Sequence, residues 1–406
     1  MPDRTSSDAV EAAARLAYGR LVALLTARSR DLAGAEDALG DALLSALEHW
    51  PEQGVPANPP AWLLTVARRR LIDRARRTAR ANAAQAEIER MHEEAELAMN
   101  EAHPFPDRRL GLMLACAHPA IDPAARTPLM LQAILGLSAE RMAPVFLTSP
   151  AAMTKRLVRA KTKIAASGIG FTEPEPEDLV QRLGPVLDAL YAAFTVGRDD
   201  RGRGGLAEEA LWLARLLAEL APEAPEASGL LALMLFVTAR VPATREGSFI
   251  PLSQQDPQDW NAAMMEEAEA LLRRAVGFQR PGRFQVEAAI QAVHAERRRT
   301  GRTDWAAILR LYEGLAGLSA TVGAHVAWAA ALAQSGEPDA ALARLNALDP
   351  AAVAAHQPFW ATRAFALAQS GRGAEAADAY LRAAALAEDP SLRAFLLERR
   401  ARVQNG

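Results

Sequence analysis

Seven arginines lie between Arg68 and Arg80 with a single acid, Asp73, in the stretch NPPAWLLTVARRRLIDRARRTARA that runs from Asn58 to Ala81. Guanidinium groups at this density suit one kind of chemistry: forked, charge-assisted hydrogen bonds to phosphate oxygens. At about 100° per residue, Leu64, Ala67, Leu71 and Ala75 share one helical face, while Arg69, Arg70, Arg76, Arg77 and Arg80 fall opposite. Asn58 suits an N-cap and Pro59 the first turn, so the helix should begin just before Trp62. By itself this face reads either as a nucleic-acid or anion surface or as a solvated basic face.

A second cationic group follows. All three lysines of the chain, Lys155, Lys161 and Lys163, fall within nine residues of one another. The segment GLSAERMAPVFLTSPAAMTKRLVRAKTKI predicts helix, short turn, helix, with Ser138 capping the first and Ser149-Pro150 starting the second. In the second helix Met153, Leu157 and Ile164 form a packing face, and Lys155, Arg156, Arg159 and Lys163 project the other way. A helix of this kind enters a DNA major groove with its N-terminal residues on base edges. Ala151, Ala152, Thr154, Lys155 and Arg159 are therefore the candidates for base contacts or near contacts, with Arg156 and Lys163 on the phosphate backbone. Pro144 falls about six positions inside the first helix, where proline costs roughly 3 kcal/mol, so that helix should kink or DNA binding should weaken.

These groups need elements to position them. Asp31 to Trp50 reads DLAGAEDALGDALLSALEHW, with Ala35, Ala38, Leu39, Ala42, Leu43, Ala46, Leu47 and Trp50 at amphipathic helical spacing. Its outer face carries Glu36, Asp37, Asp41 and Glu48, which reads as a solvated face or as a docking face for a basic partner. A Pro/Gly loop, PEQGVPANPP, then leads into the arginine helix. Residues 82–104 read as a partly helical linker, and TEPEPED, residues 172–178, as a second one. Residues 1–172 hold 22 Lys+Arg against 19 Asp+Glu, while 173–406 hold 24 against 30, so the basic balance sits in the N-terminal part.

The order acidic helix, Pro/Gly loop, arginine helix, AEDALGDALLSALEHWPEQGVPANPPAWLLTVARRRLIDRARR, resembles region two of the extracytoplasmic-function sigma factors of bacterial RNA polymerase. The later helix pair resembles sigma region four. The resemblance implies a sigma region 2 domain at 1–81 and a region 4 helix-turn-helix domain at 105–171. It implies that Glu36, Asp37 and Asp41 contact core RNA polymerase, and that Trp62, Arg68, Arg69, Arg70, Arg74, Arg76 and Arg77 lie on or near the promoter −10 element. The Ala151 to Lys163 set would then read the −35 element. Opening DNA also requires a base held outside the stack, which assigns a pocket to the 51–60 loop. Gly40 stands where the family usually has Gln, and a mid-helix Gly costs about 1 kcal/mol relative to Ala.

Residues 179–406 show helical periodicity broken at Gly or Pro. ALAQSG occurs at 331–336 and again at 366–371, with Ala340-Ala341 aligning with Glu375-Ala376 and Leu345 with Tyr380. This resembles the tetratricopeptide pattern, in which helix pairs bury a face by stacking on neighbours. Helices near 206–221, 226–240 and 284–299 should continue the stack. QRLGPVLDALYAAF, GLLALMLFVTAR and IPLSQQDPQDWN further resemble a subgroup of these sigma factors with a long C-terminal tetratricopeptide-like extension, departing after Phe194 at TVGRDDRGRGG. The expected fold is all-α: two DNA-facing helical domains and an α-solenoid-like regulatory domain that binds a protein or peptide or simply packs.

Other classes find less in the residues. No Gly-Lys dipeptide, HExxH or GxSxG occurs, and seven scattered histidines share no spacing with acids that suggests catalysis. Cys116 is the only cysteine, so no internal disulfide forms, and with His118 it lacks a second pair at zinc spacing. A buried thiol beside a turn is expected there. Gln255, Asp256 and Trp260 could line a polar pocket. No signal-peptide core is visible, and the charge-free run Gly314 to Gly336 is diluted by polar residues, which argues against a membrane span. The expectation is a cytoplasmic, non-enzymatic initiation factor with no cofactor or metal. The alternatives are a one-component helix-turn-helix regulator with a sensing domain, and a tetratricopeptide scaffold whose basic segments are incidental.

Overall fold

Helical periodicity governs everything the computed structural model describes: residues 4–78, 108–143, 146, 148–167, 169, 176–199, 205–241, 249–319 and 321–405. Among them no strand occurs, and the fold is all-α as expected. Residue contacts divide the chain into two compact units, Met1–Leu216 and Leu217–Gly406.

In the first unit α1 (Arg4–Ser29), α2 (Leu32–Gln53) and α3 (Pro59–Thr78) pack pairwise on one another. Asp31 caps α2 through the Gly34 amide at 2.9 Å, and Gly54, at φ 81°, ends it. Asn58 caps α3 as its side chain predicts, accepting from Ala61 N at 3.2 Å. After residues that lie outside those described come α4 (Arg108–Cys116), α5 (Pro123–Leu135), the single turn α6 (Ala139–Met142), α7 (Pro150–Ser167) and α8 (Pro176–Asp199). Helix α1 packs on both α4 and α5, so the two halves of this unit share a core containing Leu21, Val22, Leu110, Met113, Leu129 and Met130. At the crossing of α1 and α5, Gly19 lies so close to Ile134 that any Cβ would overlap the Ile134 carbonyl oxygen.

The division between units does not fall at 172–178. Helix α8 packs on α5 and α4 and buries Leu183, Val186, Leu187, Leu190 and Phe194, which ties it to the first unit. The composition of a Pro/Glu-rich segment marks a loop, but it does not say to which core the next helix adds its apolar face.

Helix α9 (Leu206–Leu220) spans the division. The second unit continues with α10 (Pro225–Thr238), α11 (Ala262–Gly277), α12 (Arg283–Ala295), the turn α13 (Arg297–Thr300), α14 (Trp305–Leu318), α15 (Val322–Gln334), α16 (Pro338–Asn346), the turn α17 (Pro350–Val353), α18 (Gln357–Gln369), α19 (Gly373–Leu386) and α20 (Pro390–Asn405). Helix α10 is apolar on every side and packs between α11 and α12. The Glu226 carboxylate accepts from Phe284 N at 3.0 Å and Gln285 N at 3.1 Å, placing a negative charge at the positive end of α12.

The repeated ALAQSG ends α15 and α18 in the same way. Gly336 and Gly371 adopt φ 94° and 73°, a region that glycine enters without a Cβ penalty. Their amides bond back to Ala333 O and Ala368 O, both at 3.2 Å. The aligned Ala341 and Ala376, and Leu345 and Tyr380, are all buried. Each copy thus folds a helix back on its neighbour, α15 on α16 and α18 on α19.

His294 on α12 is half-buried, edge-on to Trp305 with ring centroids 5.6 Å apart. Burial first, then the Arg240 and Arg297 charges, pushes its pKa down to about 4. The unfolded chain therefore binds the proton more tightly. The stabilisation is complete above the unfolded value near 6.5 and is lost as pH falls toward 4. Urea unfolding should lose about 2 kcal/mol between pH 7 and pH 5 from this residue, and His294→Gln should flatten that dependence.

Candidate nucleic-acid and protein interface of the first unit

The acidic helix and the arginine helix lie side by side, because α2 packs its Ala35, Ala38, Ala42 and Ala46 stripe against neighbours while Leu63, Leu64 and Ala67 do the same from α3. Small residues on α2 let the helices approach closely and leave the charged faces flanking one seam. Arg69 and Arg70 are exposed on α3, with Arg70 at 3.5 Å from Ser45 Oγ. Arg74 is also exposed but pairs with Asp37 at 2.9 Å, joining a residue expected on DNA to one expected on polymerase. The α3 backbone carries Arg76 and Arg77 in the same helix, and their side chains, with Arg80, lie outside the described residues. Arg68 points inward instead. It is half-buried, and burial, then the nearby Arg28 and Arg108, lowers its pKa. Trp62 is half-buried with its ring edge-on to Trp50 at 5.5 Å.

Asp37 and Asp41 are on the outer face of α2, as a docking face requires. Glu36 is not. Its side chain is 10% exposed and forms an ion pair with Lys161 of α7, itself 17% exposed. Burial raises the Glu36 pKa, and Lys161 opposes that rise. Leu47, placed by its spacing on the packing face of α2, is 43% exposed, and Leu44 is 61% exposed. Both join Asp37, Gly40, Asp41, Arg70 and Arg74 around a groove of about 830 Å³. A Cβ on Gly40 would meet nothing within 4 Å, so packing does not require the glycine. The leucines were legible only as a helical stripe slightly wider than its partner could cover.

Helix α7 has the geometry the sequence predicts. Ser149 accepts from Ala152 N at 3.2 Å, and Met153, Leu157, Ala160 and Ile164 are buried. Ala151, Ala152, Thr154, Lys155, Arg159 and Lys163 are exposed, and Thr154 Oγ1 donates to Pro150 O at 3.0 Å. Arg156 is half-buried, with Nη1 at 3.4 Å from Ala124 O, which diverts it from the outward set. Ser138 caps α6 through Arg141 N at 3.4 Å, and α6 ends at Met142. Pro144 lies outside the described residues, as does the 200–204 part of TVGRDDRGRGG.

Cys116 is fully buried beside the turn at His118, whose Nδ1 accepts from Ala120 N at 3.1 Å. Among the described residues no three His, Cys, Asp or Glu side chains converge. The polar pocket expected around Gln255, Asp256 and Trp260 is filled by its own partners. Trp260 Nε1 donates to Gln255 Oε1 at 3.2 Å, Asp256 caps the following turn, and Arg297 stacks over Trp260 while donating to Gln255 O at 2.6 Å. This motif fastens residues 250–260 to α13. Also among the described residues, no helix is long and apolar enough to cross a membrane.

Comparison with known proteins adds to this geometry. Residues 14–81, which cover most of α1 and all of α2 and α3, match the model of sigma-70 region 2. Residues 182–276 match a family of unknown function, DUF6596, beginning inside α8. An uncharacterized protein of Rhizobium meliloti (strain 1021) is 36% identical over 379 residues, covering 90% of this chain and 89% of that protein. No solved structure matches the chain.

Proposed function

The chain belongs at full length to the same family as the Rhizobium protein and carries a segment that matches sigma-70 region 2, and from that premise we propose that it is a sigma-70 family factor in transcription initiation, an alternative sigma factor of the extracytoplasmic-function type with a tetratricopeptide-like C-terminal array. The observation that carries this reading is the seam between α2 and α3. An acidic face with Asp37, Asp41, Leu44 and Leu47 flanks an arginine face with exposed Arg69 and Arg70.

In this reading Asp37, Asp41 and the two leucines dock on core polymerase, with electrostatics setting orientation and the leucines supplying burial. Arg69, Arg70 and Arg74, with Arg76 and Arg77 further along α3, line the −10 DNA. Ala151, Ala152, Thr154, Lys155 and Arg159 meet −35 base edges, with Arg156 and Lys163 near phosphate. The array of the second unit binds a protein or peptide partner and regulates initiation. The factor works in the cytoplasm, catalyses nothing itself and needs no cofactor.

Run-off transcription with purified core polymerase on promoter fragments tests the proposal. A transcript that depends on the protein, with specific DNA binding only when core is present, is the expected result. DNA binding by the protein alone without transcription points to a one-component regulator, and no core binding overturns the reading.

A further inference from the structure

We propose that the groove between α1, α2, α3, α5 and α7 is a binding site for a small organic cation, a primary ammonium on an apolar body, with Glu36 and Gln132 receiving the ammonium at its floor. The site is built wholly from the first unit, and the inference stands apart from the sigma reading.

Each of the five helices contributes to the wall: Tyr18 comes from α1, Gln132 from α5 and Lys161 from α7, with the acids and leucines of α2 and two arginines of α3 completing it. The volume of about 830 Å³ lies within the range of roughly 300–1,000 Å³ that small-molecule sites occupy, sites that combine apolar walls with a few placed polar groups. Here the apolar wall is Leu43, Leu44 and Leu47, at helical spacing along α2. Gly40 lies among them and adds no side chain of its own.

The floor is short of hydrogen-bond donors. Glu36, whose side chain is 10% exposed, gives Oε2 to Lys161. Its other oxygen, Oε1, and Gln132 Oε1 are buried and accept no hydrogen bond among the described residues. A buried acceptor without a donor forfeits the hydrogen bond it made in water. Positive charge is short as well. Burial lifts the Glu36 pKa further than Lys161 lowers it, and the Tyr18 hydroxyl is pushed up by burial and then by the Glu36 and Asp37 charges. The field at this wall is therefore negative even with Lys161 in it. At the rim Arg74 is engaged by Asp37, and Arg70 reaches toward Ser45 Oγ. A primary ammonium supplies both missing things, a positive charge and three N–H donors, while its apolar body lies along the leucines. An anion would be repelled by Glu36, and a quaternary ammonium brings charge without donors.

Calorimetric titration of the full-length protein with hexylamine at pH 7, where the amine is protonated, tests the site. Saturable one-to-one binding is expected. Hexanol, which keeps the chain and loses the charge, and hexyltrimethylammonium, which keeps the charge and loses the N–H donors, should each bind at least about tenfold more weakly. Gln132→Leu removes an unsatisfied buried acceptor, so its melting temperature should hold or rise while hexylamine binding weakens about tenfold. Gly40→Leu places a side chain where a Cβ meets nothing within 4 Å and favours the helix, so it should weaken binding without loss of fold. Glu48→Gln, exposed on the same helix and outside the groove, should bind hexylamine as wild type does. No saturable binding, which would leave the two acceptors to water, overturns the site. So does binding of hexanol as tight as that of hexylamine, or wild-type affinity in both groove variants. None of these outcomes depends on core polymerase or promoter DNA, so the site and the sigma reading fail separately.

Discussion

A chain ended at residue 178 is expected to lose the cooperative fold of its first unit, whereas a chain ended at Leu216 keeps it. The shorter chain lacks α8, and with it five large apolar side chains, Leu183, Val186, Leu187, Leu190 and Phe194, each 9% exposed or less. At roughly 2 kcal/mol per fully buried side chain the forfeited burial approaches about 10 kcal/mol, an upper bound given a compact denatured state. That is comparable with the whole stability of a domain this size. The apolar faces of α4 and α5 under α8 would be left in water. Thermal melts followed by circular dichroism and dye binding to exposed apolar surface distinguish the outcomes: a cooperative transition in the 178 chain would show that α8 is dispensable. The consequence for function is direct. A test of whether the C-terminal array inhibits initiation has to remove residues 217–406, because removing 179–406 damages the part that meets DNA.

Reversing Arg69 and Arg70 together to glutamate should reduce promoter opening about 100-fold, since each charge-assisted hydrogen bond to phosphate contributes roughly 1.5 kcal/mol or more. Binding of core polymerase should change little. These two arginines are the cleaner choice among those on α3: Arg74 is paired with Asp37, and Arg68 is half-buried near Arg28 and Arg108, so substitution of either disturbs packing or pairing as well as DNA. The logarithm of promoter affinity should also fall less steeply with the logarithm of salt, by about 0.7 to 0.9 for each phosphate no longer neutralised. An unchanged salt slope with reduced transcription would place the arginines away from phosphate. Asp41→Lys with Leu44→Asp is the complementary change, expected to weaken core binding first. Glu36 does not serve for that purpose, because its charge is committed to Lys161 inside the unit.

The helical class, the caps at Asn58, Ser138 and Ser149, the arginine face of α3 and the outward face of α7 were all legible in the sequence. Each depends on residues three to five positions apart, and periodicity and capping chemistry are local. The paired ALAQSG turns were legible for the same reason, since Gly336 and Gly371 each serve one turn. The tertiary structure decided what local pattern does not encode. It turned Glu36 and Arg68 inward, left Leu44 and Leu47 in the open, closed Gln255 and Trp260 on Arg297, and gave α8 to the first core. Each of these outcomes depends on which distant helix arrives at a face. An amphipathic pattern states that a face will be covered, whereas only packing between elements remote in sequence determines by what.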